Sequence, residues 1–260
     1  MPNSIKIKEN PKTVVIVGTG SVASTFIFYF LAKKIQVIQQ FGRKCPNKTI
    51  IPFTNEYKNI RTDADIYIIA VSDDAISEIV KNFPSVKGIV VHTAGSVSLD
   101  VLKTKFQNFG ILYPLQSFSK FRQIDLQKVP FLIEANNKET EQLLVSFAQN
   151  ISNNIKILTY EERLQIHLAA VFASNFSNHM NSIAQEILLE KNIDFSILKT
   201  LLEETFEKIL TSNPKDAQTG PAKRNDLNIL EKHSQMLASN PNFQEIYTLI
   251  SKSIADFQKE

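Results

Sequence analysis

Short apolar runs alternate with amphipathic stretches up to about residue 160. The apolar runs are continuous, which is typical of strands buried on both faces of a parallel sheet. Strands are predicted at 13–17, 36–38, 65–71, 88–91 and 110–113, and a further strand–helix–strand set at 131–135, 137–150 and 155–158 extends them. Helices are predicted between the first strands at about 21–33, 73–82 and 97–106. This alternation indicates an α/β fold with a doubly wound parallel sheet.

From residue 161 the strand pattern stops and a helical period replaces it. Four helices are predicted, at about 161–190, 194–212, 222–239 and 242–257. The sequence therefore predicts an α/β domain at 1–160 and an all-helical domain at 161–260. A first helix of about 30 residues would be about 45 Å long, too long for one small bundle to cover, so it is interpreted as part of a homodimer interface.

Composition narrows the class of protein. The chain has 43% hydrophobic and 21% charged residues and a net charge of +3 with scattered basic residues, which does not indicate nucleic-acid binding. Its apolar runs are too short for a transmembrane helix, and its first residues do not resemble a secretory signal. Cys45 is the single cysteine, so internal disulfides and cysteine zinc clusters are excluded and a cytoplasmic location is expected. The four histidines show no ligand spacing with carboxylates, and no metal site is predicted.

A glycine-rich turn follows the first strand directly and opens the first helix. Residues 18–23 read Gly-Thr-Gly-Ser-Val-Ala, the GxGxxA form of the dinucleotide fingerprint of Rossmann domains. In that motif the first glycine permits the turn, the second lets backbone approach a pyrophosphate, and the alanine keeps the helix close to the sheet. Candidate cofactor contacts are Gly18, Thr19, Gly20, Ser21 and Val22. The alternative is a turn in an ordinary α/β domain, but glycine is scarce in this chain, with 7 in 260 residues, so each is expected to mark a required backbone shape.

The end of the second strand bears on which dinucleotide is bound. An NAD enzyme usually has Asp or Glu there for the ribose 2′-hydroxyl, whereas this chain has glutamines followed by Arg43 and Lys44. An arginine can pair bidentately with a 2′-phosphate, so NADP(H) is the predicted cofactor. The alternative is that both are solvated surface cations.

Two later strand ends are expected beside the cofactor, because ligands of open parallel sheets bind beyond the carboxyl ends of the strands. Val71, Ser72 and Thr93 are predicted to border it, and Asp73 is interpreted as a helix N-cap. His92 is a candidate for substrate orientation or proton transfer, with a structural histidine as the alternative.

Two segments of the helical domain carry further candidates. His167, Val171, Ser174, Asn175 and Asn178 fall on one helical face at 3.6 residues per turn and are interpreted as the lining of a polar cavity, or alternatively as a dimer seam or solvated face. In the cavity interpretation His167 is a second candidate for substrate orientation or proton transfer, and Ser174 and Asn175 are candidates for hydrogen bonds to the substrate. At the entry to the third predicted helix, Thr219 is interpreted as a cap, with Pro221 in the first turn. The functional alternative is a loop that delivers Thr219 and Arg224 to the cavity mouth, where they would hold an anionic group of the substrate.

Taken together, these stretches resemble a family of Rossmann-like proteins with domain of unknown function 2520 at the C-terminus. The resemblance covers nearly the whole chain and rests on 18–23, 70–73, 92–95, 113–119, 167–176 and 219–226. That family resembles pyrroline-carboxylate reductase, deazaflavin-dependent NADP reductase, prephenate dehydrogenase and the β-hydroxyacid dehydrogenases. The resemblance implies an N-terminal NADP domain, a helical domain, and a dimer with the cleft between them.

Two departures separate the chain from those relatives. Residues 113–115 read Tyr-Pro-Leu where prephenate dehydrogenase has His-Pro-Met, and the Lys-x-x-x-Asn of the β-hydroxyacid dehydrogenases is not reproduced around His167. The expected function is an NADP(H)-dependent oxidoreductase that transfers a hydride to or from a small C=O or C=N substrate. The alternatives are an NADP(H) sensor without turnover and a reductase of a flavin or deazaflavin partner.

Overall fold

The computed structural model describes residues 11–46, 49–119 and 122–258. They form two compact units, one that ends at Ser174 and one that begins at Asn175. The first helix predicted for the helical domain begins at Tyr160, but its N-terminal half lies in the first unit. Arg163 anchors it there, since its side chain is completely buried against that unit.

The first unit is built on one sheet. Its strands are β1 (Thr13–Val17), β2 (Gln36–Phe41), β3 (Phe53–Thr54), β4 (Ile66–Ile69), β5 (Ile89–His92), β6 (Phe109–Pro114), β7 (Phe131–Ala135) and β8 (Ile155–Ile157). Their order across the sheet is β3-β2-β1-β4-β5-β6-β7-β8. The first six strands thus have the order of the Rossmann fold, and the predicted α/β class is confirmed.

The direction of one strand differs from the predicted parallel sheet. β7 pairs antiparallel with β6, with Leu112 opposite Ile133. A parallel return needs a long crossover that usually contains a helix. The described part of the connection from β6 to β7 contains only a short 3₁₀ turn at Leu126–Lys128, so the chain comes back beside β6 in the opposite direction.

Helices cover both faces of this sheet. They are α1 (Ser21–Ala32), α2 (Asp73–Asn82), α3 (Asp100–Lys103) and α4 (Lys138–Gln149), and a further helix, α5 (Tyr160–Ala170), follows β8. Val14 and Ile16 of β1 belong to one apolar cluster, while Val15 and Val17 belong to the other, as expected for a strand buried on both sides. The predicted helix at 97–106 is reduced to α3, because the Ser98 hydroxyl accepts from the Asp100 N–H and the helix begins only there.

The second unit is all-helical within the described residues. The helical run continues from α5 through a π-helical segment at Val171–Phe176 into α6 (Ser177–Leu189), followed by α7 (Lys199–Thr211), α8 (Pro214–Ala217), α9 (Leu227–Met236) and α10 (Pro241–Phe257). α9 begins later than predicted. Asp226 is its N-cap and accepts from the Ile229 N–H at 3.3 Å, so the predicted cap at Thr219 is wrong.

The helices of the second unit expose much of their apolar surface. Among described residues 175–258 only Ala222 is buried. Leu201, Leu210, Met236 and Leu249 are each more than half exposed. No helix in the described part of the chain is long and apolar enough to cross a membrane.

Candidate functional site

The turn after β1 is fixed by close backbone packing. Gly18 has φ +134°, and a Cβ atom there would collide with the carbonyl group of Ala70 at the end of β4. The Gly18 N–H donates to the Phe41 carbonyl at 2.8 Å, and Gln40 Nε2 donates to the Gly18 carbonyl at 2.8 Å. Only glycine fits this position, because a side chain would meet both backbone strain and a collision.

The N-terminus of α1 has no side-chain cap. Gly20 is the N-cap residue and makes no side-chain cap, so the N–H groups of the first turn are left for another acceptor. No atom lies within 4 Å of a Cβ built at Gly20. A free helix N-terminus beside an unobstructed glycine is the arrangement that Rossmann domains use to bind a pyrophosphate.

A cavity of about 730 Å³ extends from this turn along the carboxyl ends of the strands. Of the predicted cofactor residues, its lining contains Gly18, Thr19, Gly20, Ser21, Val22, Arg43, Val71, Ser72 and Thr93. Lys44 is exposed and lies outside this lining. A second hollow of about 820 Å³ lies beside α1 near Tyr29 and Arg122 and shares Ser21 with this lining, but it contains neither glycine of the turn nor the ends of β4 and β5.

One end of the cavity is lined by charged and polar side chains. Arg43 lines it with Asn55, Tyr57 and Glu78, which sequence reasoning missed because they are distant in the chain. The centroid of the Tyr57 ring lies 4.8 Å from that of the Phe41 ring. Burial raises the pKa of Tyr57, and the charge of Glu78 raises it further.

The glutamines at the end of β2 are structural. Gln39 donates to the Asn59 carbonyl at 2.9 Å, and Gln40 holds Gly18 as described above. No carboxylate stands at this strand end, and Glu78 belongs to α2 instead.

At the other end of the cavity α2 meets the loop after β5. Ser72 is the N-cap residue of α2 and Asp73 is its first helical residue, so the prediction that Asp73 is the N-cap is wrong. The Asp73 carboxylate accepts from the Ser96 hydroxyl instead. This hydrogen bond ties the helix to the loop that follows Thr93.

His92 is a buried residue at the end of β5. Its side chain is 0% exposed, and its Nδ1 accepts from the Ala94 N–H at 3.2 Å. Burial, with the charge of Arg163 adding to it, lowers the pKa of His92 to about 4. The imidazole is therefore neutral at neutral pH and out of reach of a ligand, so the geometry supports the structural alternative.

A tyrosine–histidine pair lies at the same edge of the sheet. The Tyr113 phenol oxygen, near the end of β6, is 3.1 Å from His167 Nδ1 on α5. Burial raises the pKa of Tyr113, against the charge of Arg163, while Asp73 raises it further. Sequence reasoning gave Tyr113 no role, although its position at a strand end beside the cofactor edge was a usable signal.

Gly95 lies directly against this pair. A Cβ atom at Gly95 would stand 2.8 Å from Tyr113 Cζ and would collide with the His167 imidazole. The side chains of Tyr113 and His167 therefore both pack directly on the backbone of Gly95. Gly95 is two residues beyond Thr93, which lines the cavity.

Ser174, Asn175 and Asn178, the remaining polar candidates of the α5–α6 run, are exposed. Ser174 and Asn175 lie in the π-helical segment. The prediction of one face shared with His167, Val171 and Asn178 assumed 3.6 residues per turn throughout. A π-helical turn, with i→i+5 hydrogen bonds, is wider and breaks that spacing.

Thr219 and Arg224 lie in the exposed loop before α9. Within the second unit Thr219 lines a mainly apolar hollow of about 260 Å³. Their role toward a substrate stays a prediction. No group of His, Cys, Asp or Glu in the described residues has an arrangement that could hold a metal ion.

Comparisons with known proteins agree with this architecture. The model of the domain of unknown function DUF2520 matches residues 129–254. A Bacteroides fragilis protein described as a "putative NADP oxidoreductase" is 34% identical, with a TM-score of 0.88 over 95% of this chain and 99% of that one. No curated protein matches the sequence.

Two more distant structures share the fold. A Thermotoga maritima protein is 20% identical, with a TM-score of 0.69 over 95% of this chain and 98% of that one. Plasmodium falciparum pyrroline carboxylate reductase with NADP bound is 15% identical, with a TM-score of 0.61 over 95% and 99%. From the domain match and the full-length similarity to the Bacteroides protein, the chain belongs to the Rossmann-like family that carries DUF2520 at its C-terminus.

Proposed function

We propose that the protein is an NADP(H)-dependent oxidoreductase that transfers a hydride to or from a small C=O or C=N substrate. The observation that carries this proposal is one continuous edge of the sheet: the glycine turn opens the cavity, Thr93 lines it, and Tyr113 and His167 meet two residues further on, at Gly95. The description of the Bacteroides relative and the NADP in the Plasmodium reductase support the same reaction class. We place this activity in the cytoplasm, since an exposed single cysteine suits a reducing compartment.

The cavity residues suit each part of a dinucleotide. The N–H groups at the start of α1, from Ser21 onward, would hold the pyrophosphate, and Arg43 would pair with the 2′-phosphate. Ser72 and Thr93 would border the path toward the nicotinamide. Bound NADPH would supply the hydride.

Tyr113 and His167 supply the proton in this proposal. With its pKa raised by burial, the Tyr113 phenol is neutral at neutral pH and can donate to the oxygen or nitrogen of a substrate that is being reduced. His167, which is half-buried, then returns a proton to the phenol across the 3.1 Å contact and takes one up from solvent in turn. In the oxidative direction the same pair accepts the proton.

Turnover tests this proposal against a sensor. In a panel of ketones, oxoacids, cyclic imines, flavin and deazaflavin, we expect NADPH consumption, followed by nicotinamide absorbance, with at least one ketone, oxoacid or imine. Tight NADPH binding with no turnover across the panel would favour the sensor, which needs the cavity but no proton donor. Turnover with the flavins alone would favour the flavin-reductase alternative.

We propose a homodimer formed through the helical unit. The supporting observation is the exposed apolar surface of that unit, where Leu201 is 62% and Leu210 is 84% exposed. Light scattering of the purified protein should give the mass of two chains, and a Leu201→Glu/Leu210→Glu variant should give the mass of one. A monomer at micromolar concentration in the wild type would contradict the dimer.

A further inference from the structure

Arg163 is a charged side chain with no exposure to solvent. It lies near the N-terminus of α5, and its relative accessibility is 0%. A buried guanidinium is costly unless its donors are satisfied and its charge is paired. Arg163 therefore needs buried hydrogen-bond acceptors and a buried negative charge.

The partners of Arg163 come from two places. Glu134 on β7 accepts from Arg163 Nε at 3.0 Å and pairs with its charge. The other acceptors are backbone carbonyls of the loop after β5: Ala94 at 3.2 Å, Gly95 at 2.6 Å and Val97 at 2.9 Å. One planar guanidinium thus fixes three carbonyl groups of a single loop.

That loop contains Gly95, on whose backbone the tyrosine–histidine pair packs. Its Gly95 packs so closely on Tyr113 and His167 that no Cβ fits between them. Arg163 and His167 are four residues apart on α5, which places them on one helical face. The side chain that holds the loop and the side chain that packs on it therefore share one rigid support.

We propose that Arg163 is a positioning residue that sets the contact between Tyr113 and His167 by holding the 94–97 loop against α5. This role rests on the proposed function, since it gives the pair its proton-transfer geometry. The fork shape of the guanidinium is what the role requires, because a lysine ammonium carries the same charge but cannot reach Glu134 and three carbonyls in one plane. A small displacement matters, since a misplacement of about 1 Å can cost ~10²-fold in rate.

The test compares Arg163→Lys with Arg61→Lys. Arg61 is an exposed arginine that forms the same kind of fork, with Asp63, away from the cavity. Four quantities are measured in each variant: NADPH affinity, kcat and KM with a substrate that the wild type accepts, and the distance from Tyr113 Oη to His167 Nδ1 in a crystal structure.

For Arg163→Lys we expect NADPH affinity within about twofold of wild type, a fall in kcat of ~10-fold or more with a smaller change in KM, and loss of the hydrogen bond. Arg61→Lys should change none of these. An intact hydrogen bond and an unchanged kcat in Arg163→Lys would overturn the proposal and leave Arg163 a purely structural residue.

Gly95→Ala tests the same inference without disturbing a buried charge, in case Arg163→Lys does not fold. Gly95 does not have positive φ, so alanine is compatible with its backbone, and the three atoms nearest to the added methyl all belong to the pair. We expect the methyl to separate Tyr113 from His167 and to lower kcat as Arg163→Lys does. An unchanged pair geometry in this variant would also overturn the proposal.

The inference and the proposed function fail in different ways. If the wild type turns over no substrate, the proposed function is wrong. Loss of the hydrogen bond in Arg163→Lys and Gly95→Ala crystals would still support the positioning role, because that readout needs no substrate.

Discussion

The phenol oxygen of Tyr113 and Nδ1 of His167 lie 3.1 Å apart, although 54 residues separate them in the chain. β6 supplies the tyrosine and α5 the histidine, and the backbone of Gly95 packs against both. A protonated phenol next to an imidazole, at the edge of the sheet where a Rossmann domain binds its cofactor, is an arrangement suited to proton transfer.

Removing the Tyr113 hydroxyl should therefore slow turnover. We expect Tyr113→Phe to lower kcat ~10²-fold, the usual contribution of a positioned acid or base, with NADPH affinity unchanged. Steady-state kinetics with an accepted substrate measures this.

The second unit offers a matched control. Tyr247 also pairs with a histidine, since its hydroxyl lies 2.9 Å from His233 Nδ1. Tyr247→Phe should leave kcat within about twofold of wild type. Equal losses in the two variants would show a general effect on stability rather than a role in proton transfer.

The two glycines of the turn should respond differently to alanine. Gly18→Ala combines positive φ with a collision at Ala70, so the free energy of unfolding should fall by about 1–3 kcal/mol. Gly20→Ala meets no atom in the unliganded protein and should keep wild-type stability. Its methyl group would stand where backbone must approach the pyrophosphate, so NADPH affinity should fall.

Thermal melts and NADPH titrations of both variants check this pair. Wild-type NADPH affinity in Gly20→Ala would show that the cofactor does not approach this turn.

His92 should make stability depend on pH. Its pKa is lowered from 6.5 to about 4 in the folded protein, so between these values the unfolded chain binds a proton that the folded protein does not. Stability therefore falls as pH decreases from 6.5 to 4, by up to about 3 kcal/mol at 1.36 kcal/mol per unit. Above pH 6.5 the effect disappears.

Denaturant unfolding of the wild type and His92→Asn across this range measures the difference, since all other groups are shared. Asparagine keeps an acceptor for the Ala94 N–H but cannot be protonated. We expect a shallower pH dependence in His92→Asn and an unchanged one in His179→Asn, which alters an exposed histidine. Parallel curves for wild type and His92→Asn would contradict the assignment.

Local sequence signals predicted the fold and the glycine turn well. The apolar runs marked the strands because burial on both faces leaves no polar alternation, and the glycine turn was recognisable from its flanking strand and helix. The direction of β7 was missed, because the apolar pattern of a strand is the same for either direction. What distinguishes the two is the connection before β7, whose described part has only a short 3₁₀ turn in place of a crossover helix.

The chemical part of the site was less predictable. His92 has the residue type and strand-end position of a catalytic group, but tertiary packing buries it completely. Tyr113 and Arg163 acquire their roles from partners that are distant in the chain, such as His167 for the tyrosine and Ala94 for the arginine. The π-helical segment shifts Ser174 and Asn175 off the predicted face, and no residue in that segment signals it.

Cofactor preference tests the central claim most directly. Calorimetric titration with NADPH and NADH should be made on the wild type, on Arg43→Ala, and on Arg61→Ala as an exposed-arginine control. We predict that the wild type binds NADPH more tightly than NADH. In Arg43→Ala the NADPH affinity should fall by ~10- to 100-fold, as expected for the loss of a charge-assisted contact worth ~1.5–3 kcal/mol. The NADH affinity of Arg43→Ala should stay within about twofold of wild type. Binding of neither dinucleotide by the wild type, or a preference for NADPH that survives in Arg43→Ala, would contradict the account.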